Sequence, residues 1–243
     1  MPSIEIVDDK LVKISESSTI ILKNNCINIE YEFNDGEFKV LIFNECDSDI
    51  SITETGDIFS SNVKINYLLL DQFNLKQNTK INVNANSNLN VYTTYLGVNK
   101  KDIVFDLYNK QSDSSVDITN NIVCLDKSSF SLDCIGTIVS GAKRSKCHQK
   151  SHCLTIDNPK IARVLPVLNI DENDVEASHS LSSGTIDEEI IFYMNTRGLN
   201  KKQALNLILK SYLMPNDNYY DEFEMGKVIH EKAINKVDKL CLM

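Results

Sequence analysis

Glycine and proline are scarce in this 243-residue chain, at eight and four residues. Asn-Gly is absent and Asp-Gly occurs once, at Asp35-Gly36. Two-residue hairpins rely on such pairs because their central positions need positive φ, so a meander of tight hairpins is disfavoured. No run of about 18 apolar residues occurs, which leaves no helical membrane span. The opening MPSIEIVDDKLVK lacks a basic segment followed by an apolar one, so no secretory signal is expected. The 25 Lys and Arg are scattered, and 34 acidic residues give a formal net charge of −9. Without a concentrated basic patch to neutralise phosphates, neither nucleic acid nor a membrane is an expected partner. No Walker-type lysine motif is present, so ATP hydrolysis by this chain is not expected. The seven cysteines are odd in number and contain no Cys-x-x-Cys. That fits a reducing cytoplasm better than a disulfide framework. Cys26, Cys124 and Cys134 sit in apolar or alternating runs and read as small buried hydrophobes.

What is present divides into two parts. From about Ser17 to Val167, short β-branched stretches such as STIILKNN, FKVLIFNE and DIVFDLYN are broken by polar turns. In KINVNANSNLNVYTT the alternation is nearly strict: Ile81, Val83, Ala85, Leu89 and Val91 share one parity, with Asn between them. Period-two alternation turns one set inward and leaves the asparagines outside. Asparagine also tolerates left-handed backbone, so it is the expected corner residue. Many short strands allow a sandwich, a barrel or a β-solenoid; the shortage of hairpin turns favours the solenoid.

After Gly184 the pattern becomes helical. Thr185 with Glu188 reads as a capping box, followed by a stripe of Ile186, Ile190, Ile191 and Met194. Gly198 is the expected stop, and Asn200 with Gln203 the cap of a second helix carrying Leu205, Leu207, Ile208 and Leu209. Pro215 is expected to end it. A third, polar helix over about residues 219–240 would use Val228, Ile229, Ala233, Val237 and Leu240. The expected division is a β domain over 1–183 and a helical domain over 184–243.

Two segments carry groups capable of chemistry. KCHQKSHC, residues 146–153, is the one dense Cys/His cluster. On a straight strand at ~3.3 Å per residue, Cys147 and Cys153 share a face about 20 Å apart while His148 and His152 point the other way. One ion cannot reach all four unless the chain turns or a partner contributes a ligand. The second segment is EASHSLSSGTIDEE, residues 176–189, where the lone His179 lies among serines just before a helix. Read from the residues alone, a histidine there helps the helix start as a hydrogen-bonded structural group. Asp187, Glu188 and Glu189 suit a helix N-terminus, whose dipole favours negative charge, better than acid–base work.

Three stretches carry a resemblance. GTIVSGAKRSKCHQKSHCLTIDNPKIARVLPVLNI, DVEASHSLSSGTIDEEIIFYMNTRGL and NKKQALNLILKSYL resemble, in order, the C-terminal part of the SufB/SufD family of iron–sulfur cluster assembly proteins. The second is the most specific, with its His, acidic pair, Phe-Tyr and Arg-Gly in one order. The resemblance spans about a third of the chain. It implies a right-handed parallel β-helix with a helical C-terminal domain, and an assembly role without enzymatic activity. The implied partners are a SufC-like ABC ATPase, docked on the tail, and a second SufB- or SufD-like subunit. The implied cargo is a transient iron–sulfur cluster, with none held permanently an equal expectation.

By that resemblance, His179 is the interface histidine and candidate cluster ligand. The functional cysteine of SufB-type members falls on Ser151 here, and Cys153, of the same strand parity, is the candidate substitute. Ser180 occupies the place of a SufB-type Glu, where SufD-type members usually have Gly, so the chain is nearer SufD at this site. By the resemblance, no counterpart of the helical segment that precedes the β region in longer members is expected in this sequence. Phe192, Tyr193, Arg197, Leu205 and Leu209 are the expected partner-binding residues. Rival readings are an enzyme on a β-solenoid acting on a carbohydrate or other polymer, and a cluster-free structural member of the family. The first would need Asp, Arg or Lys gathered on one face, and the sequence shows no such grouping.

Overall fold

A computed structural model describes residues 3–6, 11–214, 220, 223 and 225–242. Its strands are β1 Ser3–Ile6, β2 Leu11–Ile14, β3 Ser18–Leu22, β4 Cys26–Asn34, β5 Glu37–Asn44, β6 Ile50–Phe59, β7 Asn62–Leu69 and β8 Leu75–Val83. There follow β9 Asn88–Gly97, β10 Lys100–Asn109, β11 Ser115–Cys124, β12 Ser129–Ile138, β13 Lys146–Thr155, β14 Ile161–Ile170 and β15 Glu176–Thr185. Helices α1 Glu188–Thr196, α2 Lys201–Leu213 and α3 Gly226–Leu242 complete the chain.

Odd-numbered strands form one eight-stranded sheet and even-numbered strands a seven-stranded one, each in sequence order. Every strand pair is parallel, as in Glu37↔Asn62 and Ser129↔Ile161. Consecutive strands therefore alternate between two facing sheets, which is a β-solenoid. Equivalent residues of successive coils are 25 positions apart at Asp49 and Asn74, and 31 at Asp113 and Arg144. Side chains of one parity fill the space between the sheets: Ile27, Ile29, Tyr31 and Phe33 of β4, then Ile103, Phe105 and Leu107 of β10. Each such large side chain contributes about 1.5–3 kcal/mol when fully buried.

The run KINVNANSNLNVYTT is not one strand. It turns a corner at Asn86, whose φ is 56°, so Ile81 and Val83 face inward from one sheet and Leu89 and Val91 from the other. Asparagine is also not the general corner residue: left-handed backbone occurs at Asp35, Ser60, Asp113, Lys127, Arg144 and Asp157 as well. Asparagines instead join neighbouring coils. Asn88 donates to Asn62 at 2.6 Å, Asn74 to Asp49 at 2.8 Å and Asn82 to Asp57 at 3.0 Å. An amide carries both donor and acceptor, so it can stack on its equivalent one coil away.

Alternation gives way to continuous burial at the ends of β5, β7, β9 and β11. There Leu41, Phe43, Leu68, Leu96 and Val123 on the outer face form a second core with Leu209, Leu213, Ile229, Ala233 and Val237 of α2 and α3. The helical tail thus shares a core with the sheet. Lys232 bonds Glu45 at 2.5 Å and Lys236 bonds Asp71, holding α3 down.

Helix boundaries follow local chemistry. Asn200 and Gln203 form the expected capping box, and Gly198 closes α1 at φ 89°. Thr185 is not the first cap. It still pairs with Thr155 in the sheet, so the free amides begin later, and Asp187 accepts from the Glu189 amide at 2.8 Å. The third helix is shifted towards the C-terminus relative to 219–240, beginning at Gly226. Pro215 lies outside the described residues.

Candidate functional site

The final coil is built like the others but nothing among the described residues covers it. β14 and β15 end their sheets, so each pairs on one side only and presents a row of free backbone donors and acceptors on the other. All ten residues of β15 are exposed. Register shows which of them belong to the inward parity. Leu132, Cys134 and Gly136 pair with Val164, Pro166 and Leu168 of β14. Gln149, Ser151 and Cys153 pair with His179, Leu181 and Ser183 of β15. The interior of the solenoid is therefore open at this end, with Val164 and Leu168 half-buried and Leu181 44% exposed.

His179 lies in the middle of that end, on the strand rather than at the helix start, with inward parity and an exposed side chain. Cys153 lies one coil deeper and is only 3% exposed. Its register partner is Ser183, four residues along the strand from His179, a separation of about 13 Å. The structure does not bring these two candidates together. Cys153 instead forms a hydrogen-bonded thiol pair with Cys124, which draws the Cys153 thiol down and, with burial, pushes Cys124 up. Burial pushes Cys134 and Cys147 to about 12. Neutral thiols of this kind are poor nucleophiles and poor ligands.

KCHQKSHC forms β13, and its side chains diverge. Cys147 and Cys153 face the interior, while His148 and His152 stand outside, bonded through Nδ1 to Ser178 and Ser182 hydroxyls at 2.8 and 2.7 Å. Burial draws His152 below its ordinary value. Among the described residues no group of three or more His, Cys, Asp or Glu converges on a metal position.

The helical candidates divide by exposure. α1 has no buried residue; Phe192 is 69% exposed, with Tyr193 and Ile190 also free. Arg197 caps α1 and stacks on Tyr193, its Cζ 5.1 Å from the ring centre and its Nη2 donating to the hydroxyl at 3.1 Å. Leu205 is half-buried beside a 450 Å³ groove shared with Leu96, Val98, Leu125 and Ile156. Leu209 is buried in the second core and is not free for a partner. Gln149, Leu168 and Leu181 lie within the stretches that carry the family resemblance, but strand patterning gave none of them a role in the site. Counting parity across the register, which needs the coil length, is the signal that finds them.

Residues 52–212 match the family described as "SUF system FeS cluster assembly, SufBD core domain". The chain is 33% identical over 93 residues to the iron–sulfur cluster assembly protein SufD of Bacillus subtilis, covering 38% of this chain and 21% of that protein. It is 34% identical over 80 residues to an iron–sulfur cluster assembly SufBD family protein of Pyrococcus horikoshii, covering 33% of this chain and 18% of the relative. A SufBD family protein of Methanothermobacter thermautotrophicus matches at 26% over 130 residues, 48% of this chain and 32% of the relative. The matched part spans about a third or less of each relative's length. No helix among the described residues is long and apolar enough to cross a membrane.

Proposed function

This chain belongs to the SufBD family of iron–sulfur cluster assembly proteins, and we propose that it is a scaffold subunit whose open solenoid end pairs with a second β-solenoid. The observation that carries the reading is the uncovered last coil, with all ten residues of β15 exposed. An unpaired parallel edge with apolar inward residues is a template for adding strands, and a second solenoid supplies both strands and a matching interior. A SufB- or SufD-like subunit is the proposed partner, in a homo- or heterodimer.

In this reading the cluster is cargo, formed at the joint between the two subunits. His179 is the group this chain offers there, because it is both central and exposed. Cys134, Cys147 and Cys153, the thiols beneath this end, lie deeper, so thiolate ligands at the joint come from the partner. Residues 1–183 carry the joint and residues 184–243 the docking surface for a SufC-like ABC ATPase. Phe192, Tyr193 and Arg197 form that surface, with Leu205 at its edge. The chain itself performs no catalysis, and the assembly works in the cytoplasm.

Removing the tail is a poor test, since α2 and α3 cover Leu41, Phe43 and Leu68 and their loss would expose the second core. Point changes at the end are cleaner. Anaerobic affinity capture of the wild-type chain should recover both a SufB- or SufD-like subunit and an ABC ATPase. Leu181→Asp should lose the solenoid partner and keep the ATPase. Recovery of the solenoid partner by Leu181→Asp at wild-type yield would overturn the pairing through this end.

A further inference from the structure

Gln149 is buried to 3% exposure in the last covered coil, directly under the open end. Its amide is held at one atom: Nε2 donates to the carbonyl oxygen of Val167 in β14 at 3.0 Å. That bond fixes which end of the amide is which, because only the NH2 can donate to a carbonyl. Oε1 is consequently an acceptor, and it is buried with no partner among the described residues. Unsatisfied buried acceptors cost about 1–3 kcal/mol, so their persistence calls for a donor that arrives later.

The slot around the amide is shaped for it. A Cβ on Gly136, in the facing sheet, would lie 2.9 Å from Gln149 Nε2 and would also collide with Cys147 Sγ. A side chain at 136 would have to displace the amide and the Cys147 sulfur, so glycine leaves the path to the last coil open. The register partner of Gln149 on that coil is His179, on the adjoining strand about 4.8 Å away and with the same inward parity.

We propose that Gln149 is the positioning residue for His179: when a second solenoid covers the end, Gln149 Oε1 accepts the imidazole N–H and leaves the other ring nitrogen's lone pair facing the joint. The proposal rests on the pairing reading above. Covering the end removes water from His179, whose N–H then needs an acceptor, and its register partner Gln149 offers Oε1, which has no partner among the described residues. A histidine that offers one nitrogen to a metal commonly donates its other N–H to a fixed oxygen, which sets tautomer and ring orientation. The ligand class for the free nitrogen is a borderline metal such as ferrous iron, presented from the partner's side.

The test is a ¹⁵N-histidine spectrum of the complex formed by co-expressing the chain with the SufB-like subunit of its own genome. His179→Asn identifies the signal among the four histidines. The expected result is one His179 tautomer whose ring N–H exchanges at least about tenfold more slowly in the complex than in the free chain. Gln149→Leu should abolish that protection while the complex still forms, and Gln149→Glu, which restores an acceptor oxygen, should recover it. Melting curves of each variant separate loss of the bond from loss of the fold. If the complex forms and His179 exchange is the same with Gln149→Leu, the positioning role is wrong and the pairing reading survives. If no complex forms through this end, both are wrong.

Discussion

The Tyr31 hydroxyl donates a 2.6 Å hydrogen bond to Glu54 Oε1 in the middle of the solenoid core. Glu54 is 1% exposed and also accepts from Tyr67 at 2.9 Å, Gln77 at 3.1 Å and Thr79 at 2.5 Å. Five side chains from β4, β6, β7 and β8 thus meet at one carboxylate and tie both sheets together. A one-residue slip of any of these strands would turn its contributor outward, so the cluster fixes register as well as adding stability.

Burial pushes the Glu54 carboxyl above its ordinary value despite the four donors. The folded protein therefore holds the proton more tightly than the unfolded chain. The stability this contributes is fully present below pH about 4.5 and is lost as pH rises through the folded-state value. Melting temperatures from pH 4.5 to 8 should show the wild type losing stability relative to Glu54→Gln as pH rises, because Gln cannot ionise. A difference that does not vary with pH would refute the assignment.

Tyr31 depends on a second neighbour. A Cβ on Gly56 would lie 2.7 Å from the Tyr31 Cβ and 3.2 Å from its carbonyl oxygen. Backbone and a ring root cannot yield cheaply, so Gly56→Ala should cost about 1–3 kcal/mol, seen as a lower denaturant midpoint. Gly184→Ala is the control. Nothing lies within 4 Å of that Cβ, and its melting curve should match the wild type.

The alternating runs made the strands legible, and the shortage of hairpin turns separated a solenoid from a meander. What the runs did not reveal was the corner inside KINVNANSNLNVYTT, because the inward parity continues across Asn86 while the strand changes sheet. The helix stripes were equally plain, yet α1 has no buried residue and α2 is half-buried. Periodicity marks an apolar face without saying what covers it. His179 drew attention by its isolation. Its relation to Gln149 depended on a 30-residue register that no local pattern contains, the same spacing that joins Lys146 to Glu176.

The exposure of α1 makes a direct prediction. Phe192 and Tyr193 touch no core, so changing both to Asp should shift stability by no more than about 0.5 kcal/mol. The same double variant should lose the ABC ATPase in anaerobic capture and keep the solenoid partner. Retention of the ATPase at wild-type yield would move the docking surface away from α1, and the groove beside Leu205 would be the next face to change.

The interior thiols decide how much chemistry this chain can offer at the joint. Cys26 is exposed, whereas Cys124, Cys134, Cys147 and Cys153 are buried. Alkylation needs both access and a thiolate. Burial keeps Cys134 and Cys147 protonated, and Cys153 shares its hydrogen bond with Cys124. With iodoacetamide at pH 8 on the native chain, Cys26 should react ahead of these four, which should label about a hundredfold or more slowly and only as the coils open. Cys153 is the informative one, since only the last coil lies between it and the open end. Protection of Cys153 in the free chain, retained when the partner binds, leaves His179 as the group offered to the cargo. Labelling of Cys153 at the rate of Cys26 would mean that the last coil lifts away in solution, and the thiol would then be within reach of the joint.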